Sequence, residues 1–313
     1  MEQTALVVTG PTGSGKSGLA LALAEKLRGT VINADSMQVY NLYPRLTAQP
    51  DEAEKKRVPH ALYSSVSPPE KSTADNWAQQ AAETIRETFK QNRLPILTGG
   101  TGLYLEFLMH GRSDIPDVPE DFVQQAKEDF EKLGGAAVIE KLREIDPASA
   151  TLKPGDRARV VRAWSVYLAT GRSLGQWQKE SFQPPKQDWN YKTIFLLPER
   201  QQLYSNINAR FLKMIEQGAL DEVKAALARN VPADHPAHKA HGARELQDVI
   251  EKRWGLDQAI SRAQQLTRNY AKRQFTWFKN RFMKKEKESG RAFLSLEGAD
   301  FSENLAQSVT FLS

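Results

Sequence analysis

LVVTGPTGSGKSGLALALAE, residues 6–25, runs from an apolar segment through a glycine-rich turn into a helical repeat. Inside it, GPTGSGKS (residues 10–17) fits the spacing G-x-x-x-x-G-K-[ST] at every fixed position. A strand before and a helix after, patterned over residues 18–27, are the context in which such a loop wraps phosphates. Its glycines let the backbone approach closely, and the loop amides and helix N-terminus form a positive concavity. Gly10, Pro11, Thr12, Gly13, Ser14, Gly15, Lys16 and Ser17 are therefore the candidate diphosphate-binding residues. Lys16 suits phosphoryl oxygens, and Ser17 suits a Mg²⁺ ion. A chance glycine turn is the bland alternative, and the flanking elements speak against it. The motif predicts a bound di- or triphosphate without saying which.

Moving outward, a second strand is predicted over 30–34, ending at Asp35. A helix follows over 77–91, with Trp77, Ala81, Ile85 and Phe89 spaced four apart. A third strand, 94–98, leads into GGTGLY and a helix through His110. This β-α-β-α-β-α order predicts an α/β fold, a P-loop NTPase-like parallel sheet with helices on both faces. DIPDVPEDF (114–122) breaks the pattern, and helices and turns without a strand are expected up to Lys186. YKTIFLLP (191–198) returns as a strand, followed by one helix over 201–229. Residues 116–187 thus read as a mainly helical insertion domain in a core made of 1–115 and 188–313. The last third is expected to be helical through NYAKRQFTWFKNRF, then a solvated charged turn at KKEKESGR, then a short strand and helix.

In a parallel sheet all strands end on one edge, where ligands bind. Asp35 shares that edge with the loop, and could hold Mg²⁺, take a proton or simply cap a helix; position alone does not choose. Thr101 follows a glycine doublet on the same edge.

The chain has 313 residues, a net charge of +5 and no cysteine, which excludes disulfides and thiolate metal sites. No apolar run reaches the roughly 18–20 residues of a membrane helix. Neither a signal peptide nor a membrane partner is expected, which suits a cytoplasmic protein. A monomer is expected, for want of an apolar interface stripe. The mild positive charge alone is weak evidence for nucleic-acid binding. From the bare motif, a small-molecule P-loop kinase is the natural first reading. Against it, no apolar strand ends in a further acid; the third ends in TGG.

GPTGSGKS, INADSMQVY, PHALYSSVSPPE, RLPILTGGTGLY, RARVVRAWSVYLATGRSL and NYAKRQFTWFKN occur in one order. Together they resemble the bacterial tRNA dimethylallyltransferase (tRNA isopentenyltransferase) family, over residues 6–282. The resemblance implies transfer of a dimethylallyl group from dimethylallyl diphosphate to N6 of adenosine 37, in tRNAs reading codons that start with U. The loop then holds the diphosphate leaving group with Mg²⁺, and no ATP is consumed. It implies catalytic roles for Asp35 as base, Thr101 beside the reacting centre, and Lys16 and Arg210 on the diphosphate. By position alone Arg210 reads as an exposed helix arginine. The family pattern further implies contacts to the tRNA anticodon stem-loop from Asp35, Ser36, Met37, Gln38 and Thr101. Outside that group it points to Arg159 and Arg162 in KPGDRARVVRAW, and to Lys239 and Arg244 in HKAHGAREL. The aromatics Phe275, Trp277 and Phe278 read better as core, with the basic residues around them facing out.

The chain departs from the family at Gln49, where many members have lysine, and at His241 and Ala243, which replace an apolar residue and an aromatic. A family arginine early in the insertion has no counterpart near Val123. Three alternatives remain: a P-loop kinase, an RNA-binding NTPase without transferase activity, and a related class that prenylates free AMP or ATP.

Overall fold

The computed structural model describes residues 3–298 and 300–312. Its strands are β1 (Thr4–Thr9), β2 (Gly29–Asn33), β3 (His60–Ala61), β4 (Leu94–Gly99), β5 (Arg112–Ser113), β6 (Phe182–Gln183), β7 (Asn190–Leu196) and β8 (Phe293–Leu296). Six of them form one sheet in the order β3-β2-β4-β1-β7-β8, parallel throughout. The chain leaves β1 for β2 and β3 on one side, then returns past it to β7 and β8 on the other. The crevice at the end of β1 is therefore a topological switch point, where such sheets bind ligands.

Alternate strand residues are buried on opposite faces, as a doubly covered parallel sheet requires. Ala5, Val7, Leu97 and Phe195 join one core; Leu6, Val8, Ile96 and Ile194 join the other. The second face is covered by the helices Lys16–Lys26 and Phe301–Leu312. The first is covered by Ala74–Lys90, Gly102–His110 and Leu256–Trp277, among others. The helix Ala74–Lys90 starts where the Thr73 hydroxyl accepts the Asn76 amide at 3.1 Å, an N-cap. It buries Trp77, Ala81 and Ile85, as their spacing predicts.

The chain divides into two compact units, Met1–Met109 with Gln187–Ser313, and His110–Lys186. The second has its own core, in which Ala126, Val138, Leu142, Val160 and Trp164 meet from the helices Glu120–Leu133, Gly135–Ile145 and Arg157–Thr170. Trp164 Nε1 donates to Asp129 Oδ2 at 2.7 Å, so the one polar atom of that large side chain is satisfied.

Four details differ from expectation. The helix over 201–229 is two, Arg200–Glu216 and Ala219–Leu227, because Gly218 adopts φ 91° and breaks the ladder. The insertion does contain a strand: β6 pairs antiparallel with β5, too short to show a period. A two-residue edge strand, β3, was likewise invisible. KKEKESGR is not a solvated turn, since Met283–Glu288 is helical and Glu286 is fully buried. There it accepts the Thr193 hydroxyl at 3.0 Å and pairs with Arg291 at 3.4 Å, so a charge run hid a core carboxylate.

Candidate active site

The loop after β1 is built for an anion. Gly13 and Gly15 have φ 85° and 88°, left-handed values that side-chain-bearing residues rarely adopt. At Gly13 a Cβ would also lie 2.8 Å from Ile207 Cγ1. Gly15 caps the helix Lys16–Lys26 without a side-chain bond, which leaves first-turn amides for a ligand. Ser14 Oγ is buried without a hydrogen-bond partner. Lys16 is buried, its Nζ 3.4 Å from the Pro11 carbonyl. Burial lowers its pKa from 10.5 to about 8; the Asp35 charge opposes this and the Arg210 charge adds to it. Ser17 is exposed on the first turn. No cluster of three His, Asp or Glu side chains exists among the described residues. The exposed Ser17 hydroxyl is a hard oxygen donor of the kind that fits Mg²⁺, an ion usually held by one or two protein groups plus substrate phosphates.

The helix Arg200–Glu216 braces the loop. Arg210 Nη2 donates to Thr12 Oγ1 at 2.7 Å, and Asn206 Nδ2 to the Gly13 carbonyl at 3.1 Å. Arg210 is not the exposed arginine its position suggested. It is half-buried, and loss of hydration pulls its pKa below the usual guanidinium value, with Asp35 opposing. Asn206 was missed, although it stands four residues before Arg210 and so on the same helix face. Gln274 was missed as well. Its Oε1 accepts the Thr12 amide at 2.9 Å and its Nε2 donates to the Gly100 carbonyl at 2.7 Å.

Across the crevice, the turn after β2 is held by side-chain bonds. Asp35 N donates to Asn33 Oδ1 at 2.8 Å, and Asp35 Oδ1 accepts the Met37 amide at 2.9 Å. The Ser36 amide donates to Thr101 Oγ1 at 2.9 Å. Trp77 locks the two strand ends together: its Nε1 donates to the Asn33 carbonyl at 2.9 Å, and its ring stacks on Tyr104 at 4.4 Å. Gln38 Nε2 is bonded to the Thr47 and Ala48 carbonyls, at 2.8 and 3.0 Å. Gln49 donates to the Tyr40 carbonyl at 2.8 Å and accepts from Ser64 at the same distance, so this side chain is absorbed into loop structure.

Thr12, Asp35 and Arg210 face a cavity of about 70 Å³. Met37, Leu46, Phe211 and Met214 supply an apolar wall, and His241 and Tyr270 line it too. Burial, Arg273 and Arg210 lower the His241 pKa, which keeps the ring neutral near pH 7, although Asp35 opposes them. A wider cleft of about 1310 Å³ opens on the loop's other side, with Gly13, Gly15, Lys16, Ser17, Arg210 and Lys213 around it. The fold thus brings Lys16, Asp35 and Arg210 into one electrostatic neighbourhood, with Thr101 bonded to the residue after Asp35. Lys239 and Arg244 are exposed on a 3-10 turn and the following helix. Arg159 and Arg162 are exposed on Arg157–Thr170 in the helical unit. Phe278 is buried, Phe275 and Trp277 pack against the same core, and Lys272 and Arg273 are exposed.

A family model described as IPP transferase matches residues 38–281. The chain is 46% identical over 283 residues to a tRNA dimethylallyltransferase of Granulibacter bethesdensis, covering 90% of this chain and 88% of that one. A full-length tRNA isopentenylpyrophosphate transferase structure from Bacillus halodurans superposes with a TM-score of 0.67 at 30% identity, over 100% and 96% of the two chains. A eukaryotic dimethylallyltransferase solved acting on tRNA gives a TM-score of 0.78 at 25% identity, over 98% of this chain and 77% of that one. With agreement of this extent in both sequence and fold, the chain belongs to the IPP transferase family.

Proposed function

We propose that the chain transfers a dimethylallyl group from dimethylallyl diphosphate to N6 of adenosine 37 in tRNAs that read codons starting with U. The observation that carries this reading is the pairing of opposite charge at an apolar cavity. Arg210 and the Asp35 carboxylate both line it, and Lys16, a cation short of water at the phosphate loop, feels the charge of each. Met37, Leu46, Phe211 and Met214 in the lining suit the five-carbon apolar group that this reaction transfers.

The loop amides, Lys16 and Arg210 hold the diphosphate and stabilise charge as the C1–O bond breaks and its electron pair leaves with pyrophosphate. Ser17 and the diphosphate would hold Mg²⁺, which supplies further charge neutralisation when bound. The adenine amine is conjugated and weakly nucleophilic, so it must lose a proton as the N6–C1 bond forms. Asp35, its Oδ1 anchored by the Met37 amide, has Oδ2 to accept that proton. Thr101 fixes the turn through Ser36. The target base must leave its stack to reach this depth, where Ser36, Met37 and Gln38 surround it. Of the Gln38 amide, Oε1 is the atom free of the loop carbonyls that Nε2 meets.

The helical unit serves as the tRNA-contacting insertion domain, with Arg159 and Arg162 on anticodon-arm phosphates; Lys239 and Arg244 contribute from the other unit. We read the chain as a cytoplasmic monomer; among the described residues no helix is long and apolar enough to cross a membrane. The test is nucleoside mass spectrometry of unmodified tRNA incubated with the protein, dimethylallyl diphosphate and Mg²⁺. The expected product is N6-(dimethylallyl)adenosine at position 37. Prenylation of free AMP but not tRNA, or phosphate transfer from labelled ATP without prenylation, would overturn the assignment.

A further inference from the structure

The donor and acceptor halves of the site come from loops far apart in sequence, after β1 and after β2 and β4. Where the strands end, Thr9 Oγ1 donates to the Gly99 carbonyl at 2.8 Å; beyond that pairing, the Gln274 side chain bonds both loops. Gln274, on the helix Leu256–Trp277, is 6% exposed and bonded at both ends of its amide. The Thr12 N–H needs an acceptor and the Gly100 C=O needs a donor, so Oε1 must face Thr12 and Nε2 must face Gly100. Each limb continues. Thr12 Oγ1 accepts from Arg210 at 2.7 Å; the residue after Gly100 is Thr101, whose hydroxyl holds the Ser36 amide at 2.9 Å beside Asp35. The approach is close enough to dictate neighbouring residues. A Cβ on Gly100 would collide with Gln274 Nε2, and one on Gly102 with the Trp277 ring from the same helix.

We propose that Gln274 is a positioning residue for prenyl transfer: it sets the distance between the cations on the diphosphate and the base on the acceptor. The inference rests on the function proposed above. A misplacement of about 1 Å between reacting groups costs on the order of 10²-fold in rate. Gln274→Glu keeps the acceptor for Thr12 but turns a second oxygen toward the Gly100 carbonyl. Protonating the new carboxyl restores the donor, so this variant carries a pH signature that a purely structural role lacks.

The experiment measures single-turnover prenylation with saturating tRNA, alongside steady-state kinetics. Gln274→Glu is expected to lose about 10²-fold in rate at pH 8, with KM for dimethylallyl diphosphate within about threefold of wild type. The ratio of variant to wild-type rate should rise about tenfold on acidification to about pH 5.5. Gln274→Met should lose a similar factor at every pH. Amide exchange on the substrate-free proteins provides a readout independent of activity: Gln274→Met should lose protection at 10–14 and 34–37 while the rest of the sheet stays protected. Rates within twofold of wild type in both variants would overturn the proposal, as would a loss confined to KM. Wild-type protein that transfers no prenyl group would sink the function instead, and unchanged exchange in both loops would then still overturn this inference.

Discussion

Lys16 and Arg210 at the phosphate loop, and Arg157, Arg159 and Arg162 on the helix Arg157–Thr170, are two sets of cations in opposite physical states. The first set is withdrawn from water. The fall in the Lys16 pKa from 10.5 to about 8 corresponds to roughly 3 kcal/mol against its charged form. The second set is exposed. Arg157 pairs with Glu131 at 2.8 Å and Arg159 with Asp156 at 3.3 Å. Such surface pairs contribute about 0–1 kcal/mol and exchange readily for a phosphate. The difference separates two tasks. A charge kept short of partners is poised for a ligand that arrives with several negative charges, and it sharpens electrostatics where a bond breaks. A solvated arginine attracts a polyanion from a distance and is screened by salt.

The largest expected effect comes from Asp35, the acid whose charge acts on both Lys16 and Arg210. Asp35→Ala should retain tRNA binding and lose about 10²–10⁴ in single-turnover rate; near-normal turnover would remove Asp35 as the base. Next, Lys16→Met should lower kcat/KM for dimethylallyl diphosphate by about 10²–10³, while the thermal midpoint of the ligand-free protein holds or rises. A fall in both would show that the buried ammonium supports the fold, and the contrast would collapse.

The pH dependence sharpens it further. Between pH 8 and 10.5 the unfolded chain keeps the Lys16 proton and the folded chain does not, so this group's contribution to stability rises with pH across that window. Pyrophosphate binding should run the other way, weakening about tenfold per pH unit above 8, because it needs the ammonium. Calorimetric titration at several pH values checks the slope, and a flat profile up to pH 10 would contradict the lowered pKa. The smallest effect belongs to the surface set. Arg159→Ala with Arg162→Ala should raise KM for tRNA a few-fold, leave the single-turnover rate unchanged, and flatten the salt dependence by about two phosphate contacts. A change in rate at saturating tRNA would mean that these arginines do more than hold RNA.

The phosphate loop was legible because its parts are consecutive: glycines, lysine and serine lie within eight residues. The parallel sheet was legible because strands buried on both faces read as apolar runs. Asp35 was legible only as a strand-end acid whose role the family resemblance supplied; the Met37 amide on its Oδ1 closes a turn, and no helix begins there for Asp35 to cap. Gln274 stood inside the motif NYAKRQFTWFKN, but its role was not legible, since its partners lie 262 and 174 residues away. Arg210 looked like a surface residue because helical spacing gives a face but not what the face meets. The glycine doublet of GGTG read as room for a ligand or as a tight turn; the structure shows that Gly100 and Gly102 make room for Gln274 and Trp277.

The short pairing of β5 with β6 sets Arg112 opposite Gln183 and Ser113 opposite Phe182. The outgoing and incoming chains therefore run side by side, about 5 Å apart. At the same junction the Gln187 amide donates to the Leu108 carbonyl at 2.5 Å. To the sheet, some seventy residues of helical domain are topologically equivalent to a hairpin turn. A module attached in this way can be lengthened, replaced or lost in descent without disturbing a strand register. On the proposed function, the part that grips RNA is in this sense separable from the part that makes the bond.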